Sequence, residues 1–163
     1  MLFIVSHLES EGLETVALTW LNMGQILRVH AKNHPGKTAL KDWRGRALTY
    51  PKLESRTNRL ANGLLRLGLR KGDRVAVMLY NCVEFVEVDC AMAKAGLVVV
   101  PISWRYVDKE VAYVVDNSDA KALIVGEDFV DCIDRVRGGF EKVGEGNYVS
   151  VGSKKFDGYT DYE

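Results

Sequence analysis

Two apolar runs with a helical pattern between them stand out in the middle of the chain. Residues 75–80 are apolar at odd and even positions alike, so neither face of that strand is predicted to meet water. Leu97 to Val100 repeats this pattern and is closed by Pro101. The apolar stripe between them ends at Gly96, the residue type favoured just after a helix. This order predicts a βαβ unit at the centre of a buried sheet.

Capping residues mark the predicted starts of two helices. Asn81 is an N-cap candidate for the helix of this unit, and Glu84 stands three residues later, where it completes a capping box. Thr49 precedes the longest helical pattern, which runs over residues 50–67. Pro51 fits the first turn of that helix because no intrahelical N–H bond is lost there.

The remaining segments add shorter elements. Helices are also predicted at 22–33, 110–117 and 127–137, and strands at 122–125 and 148–151. Two short strands around Trp43-Arg44-Gly45-Arg46 predict a hairpin. Glycine is frequent after residue 137, so the last dozen residues are predicted to be loose or to need a partner. The predicted fold class is α/β, with a mainly parallel sheet covered by helices on both faces and a small N-terminal hairpin.

Composition points to a globular protein with no charged binding surface. Of 163 residues, 47% are hydrophobic and 27% are charged, which suits a chain with one core. The 22 basic and 22 acidic residues cancel, which argues against a nucleic-acid surface or a polybasic membrane anchor. No apolar run reaches the length of a transmembrane helix. Residues 1–21 follow no regular pattern and are predicted to be an N-terminal arm or extension, with a poor helix or a leader segment as alternatives, whereas residues 22–163 are predicted to form the domain.

Cysteine and histidine positions give no metal site. Cys82, Cys90 and Cys132 are an odd number without metal or redox spacing, which predicts reduced thiols in a cytoplasmic protein. His30 and His34 share one face of a helix, but a site needs three or four ligands. We therefore interpret them as exposed imidazoles near a helix C-terminus, where positive charge is tolerated.

Clustered charges are interpreted as solvated surfaces. The densest basic stretch lacks the interleaved aromatic side chains of a nucleic-acid site. It consists of Arg56, Arg59, Arg66, Arg70, Lys71 and Arg74. Asp128, Asp131 and Asp134 repeat every three residues, on the outer face of a helix, without the desolvation that acid–base catalysis requires. The sequence contains no glycine-rich phosphate loop and no nucleophile elbow, so no catalytic residue is predicted.

The order of several segments resembles a known family. The segments are LTYPKL at 48–53, NRLANGLL at 58–65, GLRKGDRVAV at 68–77, AMAKAGLVVVP at 91–101, Trp104-Arg105, and EVAYVVDNSDAKALIV at 110–125. From about Asn22 to the end, the chain resembles the N-terminal part of an adenylate-forming acyl-CoA synthetase of the AMP-binding superfamily, in its fatty-acid–CoA ligase branch. Lys52 and Val107 depart from the family pattern at two helix starts, and we expect each to cost about 1 kcal/mol or less.

The resemblance implies a reaction that this chain does not complete. Family members use ATP and magnesium to convert a carboxylic acid to an acyl-adenylate, then transfer the acyl group to coenzyme A. The family's phosphate loop, its aromatic-Gly-x-Thr-Glu segment, its ribose-binding aspartate and its C-terminal lysine all lie further along the family pattern. The predicted function is therefore that of an N-terminal fragment of a fatty-acid or other carboxylic acid–CoA ligase, inactive and without bound cofactors on its own.

Ligands gather at the carboxyl ends of parallel strands, and this rule gives the only site prediction. Trp104 and Arg105, in the loop after a central strand, are predicted to lie nearest the site, with packing of the loop as the alternative. Two other functions stay open. One is a non-catalytic module that forms a homo-oligomer, with its N-terminal arm exchanged, or joins a complementary C-terminal chain. The other is a free-standing nucleotide or coenzyme A binder.

Overall fold

Helices cover both faces of a five-stranded sheet in which every neighbouring pair of strands is parallel. The computed structural model describes residues 23–42 and 45–163. The strands are β1 (Thr38–Lys41), β2 (Ala47–Thr49), β3 (Arg74–Met78), β4 (Val98–Pro101), β5 (Ala122–Gly126), β6 (Tyr148–Val151) and β7 (Thr160–Asp161). The helices are α1 (Met23–Asn33), α2 (Tyr50–Arg66), α3 (Val83–Ala95), α4 (Asp108–Asn117) and α5 (Val130–Val136). The predicted α/β class is confirmed.

Side chains of alternating parity on the inner strands enter two separate cores. The strand order is β4-β3-β5-β6-β7. Ala76 and Met78 of β3 face a core shared with α4 and α5, whereas Val75 and Val77 face a core shared with α2 and α3. All four are buried. This is why β3 is apolar at every position after Arg74, as predicted for a strand covered on both sides.

The strand β4 is an edge strand within the described part of the chain, so the predicted βαβ unit does not lie at the centre of the sheet. β4 pairs with β3, and β3 pairs on its other side with β5. Val98 is 45% exposed. The apolar run of β4 correctly marks a strand, but it carries no information on which neighbours the strand has or on how deeply it is buried.

The helix α3 begins differently from the prediction. Its N-cap is Cys82 rather than Asn81, and no side chain makes a capping hydrogen bond there. Glu84 turns instead toward the hairpin, where its carboxylate accepts two hydrogen bonds from Arg46. The predicted capping box is therefore wrong. Gly96 ends the helix as predicted, with a φ of 70°.

The two helix starts that depart from the family pattern lack side-chain caps. Neither Thr49 at the start of α2 nor Val107 at the start of α4 makes a side-chain capping hydrogen bond. At α4 half of a capping box still forms, because the Glu110 carboxylate accepts a hydrogen bond from the Val107 N–H at 3.0 Å. The predicted weakening of these starts therefore applies fully to α2 and partly to α4.

The hairpin and α1 build a smaller core against α2 and α3. β1 and β2 pair antiparallel, with Gly45 in the turn at a φ of 84°. Leu27 of α1, Leu48 of β2 and Leu53 of α2 meet in this core. The predicted hairpin and first helix are confirmed. The predicted N-terminal arm, residues 1–21, and the turn residues 43 and 44 lie outside the described residues.

The end of the chain is ordered against the sheet, contrary to the prediction of a loose tail. β7 pairs in parallel with β6. The Tyr159 hydroxyl donates a hydrogen bond to Asp134 at 2.8 Å, and the Tyr162 hydroxyl donates one to Glu87 at 2.7 Å. The glycine frequency gave the wrong prediction because strand pairing and hydrogen bonds to residues far along the chain hold the segment.

Candidate functional site

A cleft of about 740 Å³ lies at the carboxyl ends of the sheet strands. Every strand of the sheet contributes lining residues from the segment that follows it. Examples, in chain order, are Tyr80 after β3, Trp104 after β4, Glu127 after β5, Gly152 after β6 and Tyr162 after β7. In an open α/β sheet this is the edge at which ligands bind, so the cleft is the candidate site.

An aromatic pair forms one wall of the cleft. The ring centroids of Tyr80 and Trp104 are 5.4 Å apart. Phe129 packs edge-on against Tyr80, with 4.7 Å between the two ring centroids. Trp104 is 42% exposed. Arg105 lies outside the cleft lining, with its guanidinium carbon 4.7 Å from the centroid of the Trp104 ring. Of the two residues predicted to lie nearest the site, the structure places Trp104 in the lining of the cleft and Arg105 outside that lining.

An arginine of the hairpin forms ion pairs with two carboxylates in the opposite wall of the cleft. The Arg46 guanidinium contacts Asp42 at 2.7 Å and Glu84 at 2.6 Å and 2.9 Å. Burial raises the pKa of Glu84, but the hydrogen bonds from Arg46, from the Glu84 backbone N–H and from Cys82, together with the charge of Arg46, hold that pKa below its usual range. The charge of Arg46 is therefore already neutralised by two carboxylates.

The partly exposed Glu127 carboxylate links the segments that follow β5 and β6. Glu127 accepts hydrogen bonds from the backbone N–H groups of Lys154 at 3.1 Å and Ser153 at 2.7 Å. These N–H groups lower the pKa of Glu127, so it is ionised at neutral pH. A Cβ at residue 152 would collide with this carboxylate, which explains the glycine there.

Negative charge dominates the described lining of the cleft. The five lining carboxylates belong to Asp42, Glu84, Glu127, Asp128 and Glu163, and they face a single lining cation, the Arg46 guanidinium. A triphosphate needs cations and free backbone N–H groups around its oxygens. The residues that the structure describes at this cleft therefore do not fit the phosphates of ATP.

A second cluster of charged side chains lies beside the cleft, inside the protein. Glu87 has no exposed surface. Arg56 donates to both of its carboxylate oxygens, through Nε and, at 3.1 Å, through Nη2, while Tyr162 donates to it at 2.7 Å. We call Arg56, Glu87 and Tyr162 the buried charge cluster.

This cluster corrects the interpretation of the basic stretch. Arg56 is only 19% exposed and does not lie on a solvated face. Arg59, Arg66, Arg70 and Lys71 are exposed as predicted, and so are the three aspartates of the outer helix face. The sequence feature that could have revealed the buried charge cluster is Glu87. It stands four residues from Val83 and from Ala91, both buried, and a carboxylate on such a stripe requires a partner.

The histidines and cysteines lie apart from the cleft chemistry. The rings of His30 and His34 stack with centroids 5.6 Å apart, and His30 also stacks on Tyr50. Among the described residues, no three histidine, cysteine, aspartate or glutamate side chains are placed to share a metal ion. Burial raises the pKa of both Cys82 and Cys132 to about 11, so these thiols are protonated at neutral pH. The cytoplasmic location stays a prediction.

The part of the chain that the structure describes contains no helix of the length and apolarity needed to cross a bilayer.

The profile of the AMP-binding enzyme family matches residues 27–155. A 3-oxocholest-4-en-26-oate–CoA ligase of Rhodococcus rhodochrous is 38% identical over 104 residues, which are 64% of this chain and 19% of that ligase. The chain thus spans about a fifth of the length of the curated relatives it matches.

Solved structures share the fold. A fatty acyl CoA synthetase of Mycobacterium tuberculosis has a TM-score of 0.73 and 32% identity, over 79% of this chain and 26% of that one. An anthranilate CoA ligase solved with anthranoyl-AMP has a TM-score of 0.81 and 26% identity, over 88% of this chain and 27% of the ligase. Because the family profile also covers most of its length, this chain belongs to the AMP-binding enzyme family.

Proposed function

We propose that this chain forms the N-terminal part of an ATP-dependent carboxylic acid–CoA ligase. Such a ligase makes an acyl-adenylate and then transfers the acyl group to coenzyme A, with ATP, magnesium and coenzyme A supplied from solution. The family match over residues 27–155 carries this proposal. Similar proteins named as CoA ligases, and one solved with the acyl-adenylate anthranoyl-AMP, support it. The similarity to the fatty acyl CoA synthetase of Mycobacterium tuberculosis supports a role in fatty-acid metabolism.

Within such a ligase, we propose that the cleft shapes the site without holding the phosphates. The aromatic pair of Tyr80 and Trp104 offers an apolar wall, and Arg105 stiffens Trp104 from behind through its cation–π contact. The lining carboxylates repel a triphosphate. Residues 1–163 are therefore proposed to be inactive alone and to depend on the cationic phosphate site of the rest of a ligase.

A chimera tests this proposal. The 163-residue chain replaces the matching N-terminal segment of the Mycobacterium tuberculosis fatty acyl CoA synthetase, and acid-dependent release of pyrophosphate is measured with and without coenzyme A. We expect activity from the chimera and none from the chain alone. In the chimera, Trp104→Ala should lower kcat/KM by about tenfold or more, equivalent to about 1.4 kcal/mol, whereas Arg105→Ala should have a smaller effect.

The outcomes separate the hypotheses. A folded chimera without activity, judged by circular dichroism, would contradict the ligase proposal. Acyl-adenylate formed by residues 1–163 alone would contradict the dependence on a further part. Saturable binding of ATP or coenzyme A to the chain alone, measured by calorimetry, would favour the free-standing binder instead.

The exposed edge of the sheet supports a second candidate function, that of a self-associating module. β4 pairs on one side with β3, and its other side faces no strand within the described residues. Val98 on this edge and Val107 and Tyr113 of the α4 region are exposed. Unpaired edge strands are templates for pairing with a second chain. We propose that two copies of this chain, or this chain and a complementary C-terminal chain, meet along β4.

Light scattering after size exclusion measures this association. The chain is expected to elute as a dimer, and Val98→Lys is expected to give a monomer because a lysine on an edge strand opposes pairing. Val29→Lys, at an exposed position on α1, is the matched control and should leave the dimer intact. A monomeric wild-type chain at high concentration would contradict association between two copies of this chain and leave only the complementary C-terminal chain as a partner.

A further inference from the structure

A second cavity lies between α2 and β7, next to the buried charge cluster. Its volume is about 310 Å³, at the lower end of the roughly 300–1,000 Å³ typical of small-molecule sites. Leu60, Leu64 and Val149 provide apolar lining. Gly63 also lines the cavity, and a Cβ there would meet no atom within 4 Å, so a larger side chain at this position has open space to enter. We call this cavity the α2 groove.

One end of the α2 groove is bounded by a guanidinium that is held in place. Glu87 fixes Arg56 from the interior, as described above. Toward the outside, Arg56 donates to the Glu163 carboxylate through Nη1 at 3.0 Å and through Nη2 at 2.6 Å. Two parallel N–H groups facing two oxygens are the geometry in which arginine recognises a carboxylate. Glu163 thus marks where a carboxylate sits at the mouth of the groove.

The carboxylate in this position is only weakly retained. The Glu163 side chain is 67% exposed, and an exposed ion pair is screened by solvent. A second cation lies close by. Hydrogen bonds from Arg56 and the positive charges of Arg56 and Arg59 together hold the pKa of Glu163 below its usual range. Arg59 itself contacts Ser55 at 3.4 Å, so much of its charge is available to an anion.

We propose that the α2 groove binds a small apolar monocarboxylate. The ligand's carboxylate replaces that of Glu163 on Arg56, and its hydrocarbon chain lies on Leu60, Leu64 and Val149 over Gly63. The groove adjoins the acidic cleft, but the proposed contacts with Arg56, Leu60, Leu64 and Val149 lie outside the cleft lining, so this site does not depend on the ligase proposal. Glu163 and Tyr162 border both cavities, and a bound ligand therefore releases the Glu163 carboxylate toward the cleft.

Titration with sodium octanoate, followed by amide NMR shifts and calorimetry, tests the proposal. Octanoate is expected to bind the 163-residue chain saturably, and Glu163→Gln is expected to tighten binding by about twofold to fivefold, because the displaced partner is an exposed ion pair. Gly63→Leu should weaken binding by about tenfold or more by filling the groove. Asn62→Leu, at an exposed position on the same helix outside the groove lining, is the matched control and should leave binding unchanged.

Three results would overturn the proposal. Absence of saturation by octanoate in Glu163→Gln up to about 10 mM, far above ordinary ligand affinities, would exclude a site. Binding unaffected by Gly63→Leu, in a variant with native circular dichroism, would place octanoate elsewhere. Equal affinity for octan-1-ol and octanoate would show that the Arg56 guanidinium does not recognise the carboxylate of the ligand.

Discussion

Replacing Arg56 by methionine is expected to lower the free energy of unfolding by about 3–5 kcal/mol, because it leaves a carboxylate buried without its cation. Glu87 has no exposed surface, and Arg56 supplies two of the hydrogen bonds it accepts. The Tyr162 hydroxyl donates one more, which does not neutralise the charge. Urea unfolding followed by circular dichroism measures the change.

A double variant separates the loss of the ion pair from the loss of packing. Arg56→Met combined with Glu87→Met removes both charges and keeps similar side-chain volumes, so most of the lost stability should return. Arg59→Met, three residues away at an exposed position, is the matched control and should stay within about 0.5 kcal/mol of the wild type. If Arg56→Met alone had as small an effect as the control, Glu87 would not be an ion buried in the protein.

The buried charge cluster also connects helices α2 and α3 to the lining of the cleft. Arg56 comes from α2, Glu87 from α3 and Tyr162 from the segment after β7, so the cluster joins three elements at one point. Tyr162 continues from there into the lining of the cleft. The cleft wall at this corner is therefore attached to the ion pair in the interior through Tyr162.

Periodicity predicted the elements of the fold well, but not their arrangement. The inner strands β3 and β5 follow from uninterrupted apolar runs, β6 from a short run interrupted by Ser150, and α2 from leucines at helical spacing. The same apolar signal in β4 suggested a central strand, although Val98 is exposed at the edge. Strand order is set by contacts between distant segments, and a local pattern does not encode those contacts.

The same limit applies to the candidate site. The rule that ligands gather at carboxyl ends located Trp104, which depends only on the order of elements. It did not find Arg46 or Glu127, because each acquires its role from a partner far along the chain. Arg46 pairs with Glu84, 38 residues away, and Glu127 binds backbone N–H groups 26 and 27 residues away. Neither pairing leaves a motif in the sequence.

Replacing Tyr162 by alanine is expected to lower the free energy of unfolding by about 2–4 kcal/mol, because it removes a packed aromatic ring and a hydrogen bond to a buried carboxylate. Tyr162→Phe keeps the ring and should cost only about 1–2 kcal/mol. Tyr113→Ala, at a position 67% exposed, is the matched control and should change stability little. If the C-terminal segment were loose, all three variants would have similar free energies of unfolding.

The pH dependence of Tyr162→Phe provides an independent readout. Burial and the charge of Glu87 raise the pKa of the Tyr162 phenol above the ordinary value near 10. The folded state therefore holds a proton that the unfolded state releases, so this contribution to stability is present below about pH 10 and is lost as the pH rises above it. Thermal unfolding between about pH 9 and pH 11 should show a shallower loss of stability for Tyr162→Phe than for the wild type. Parallel profiles would mean that Tyr162 is not held against Glu87.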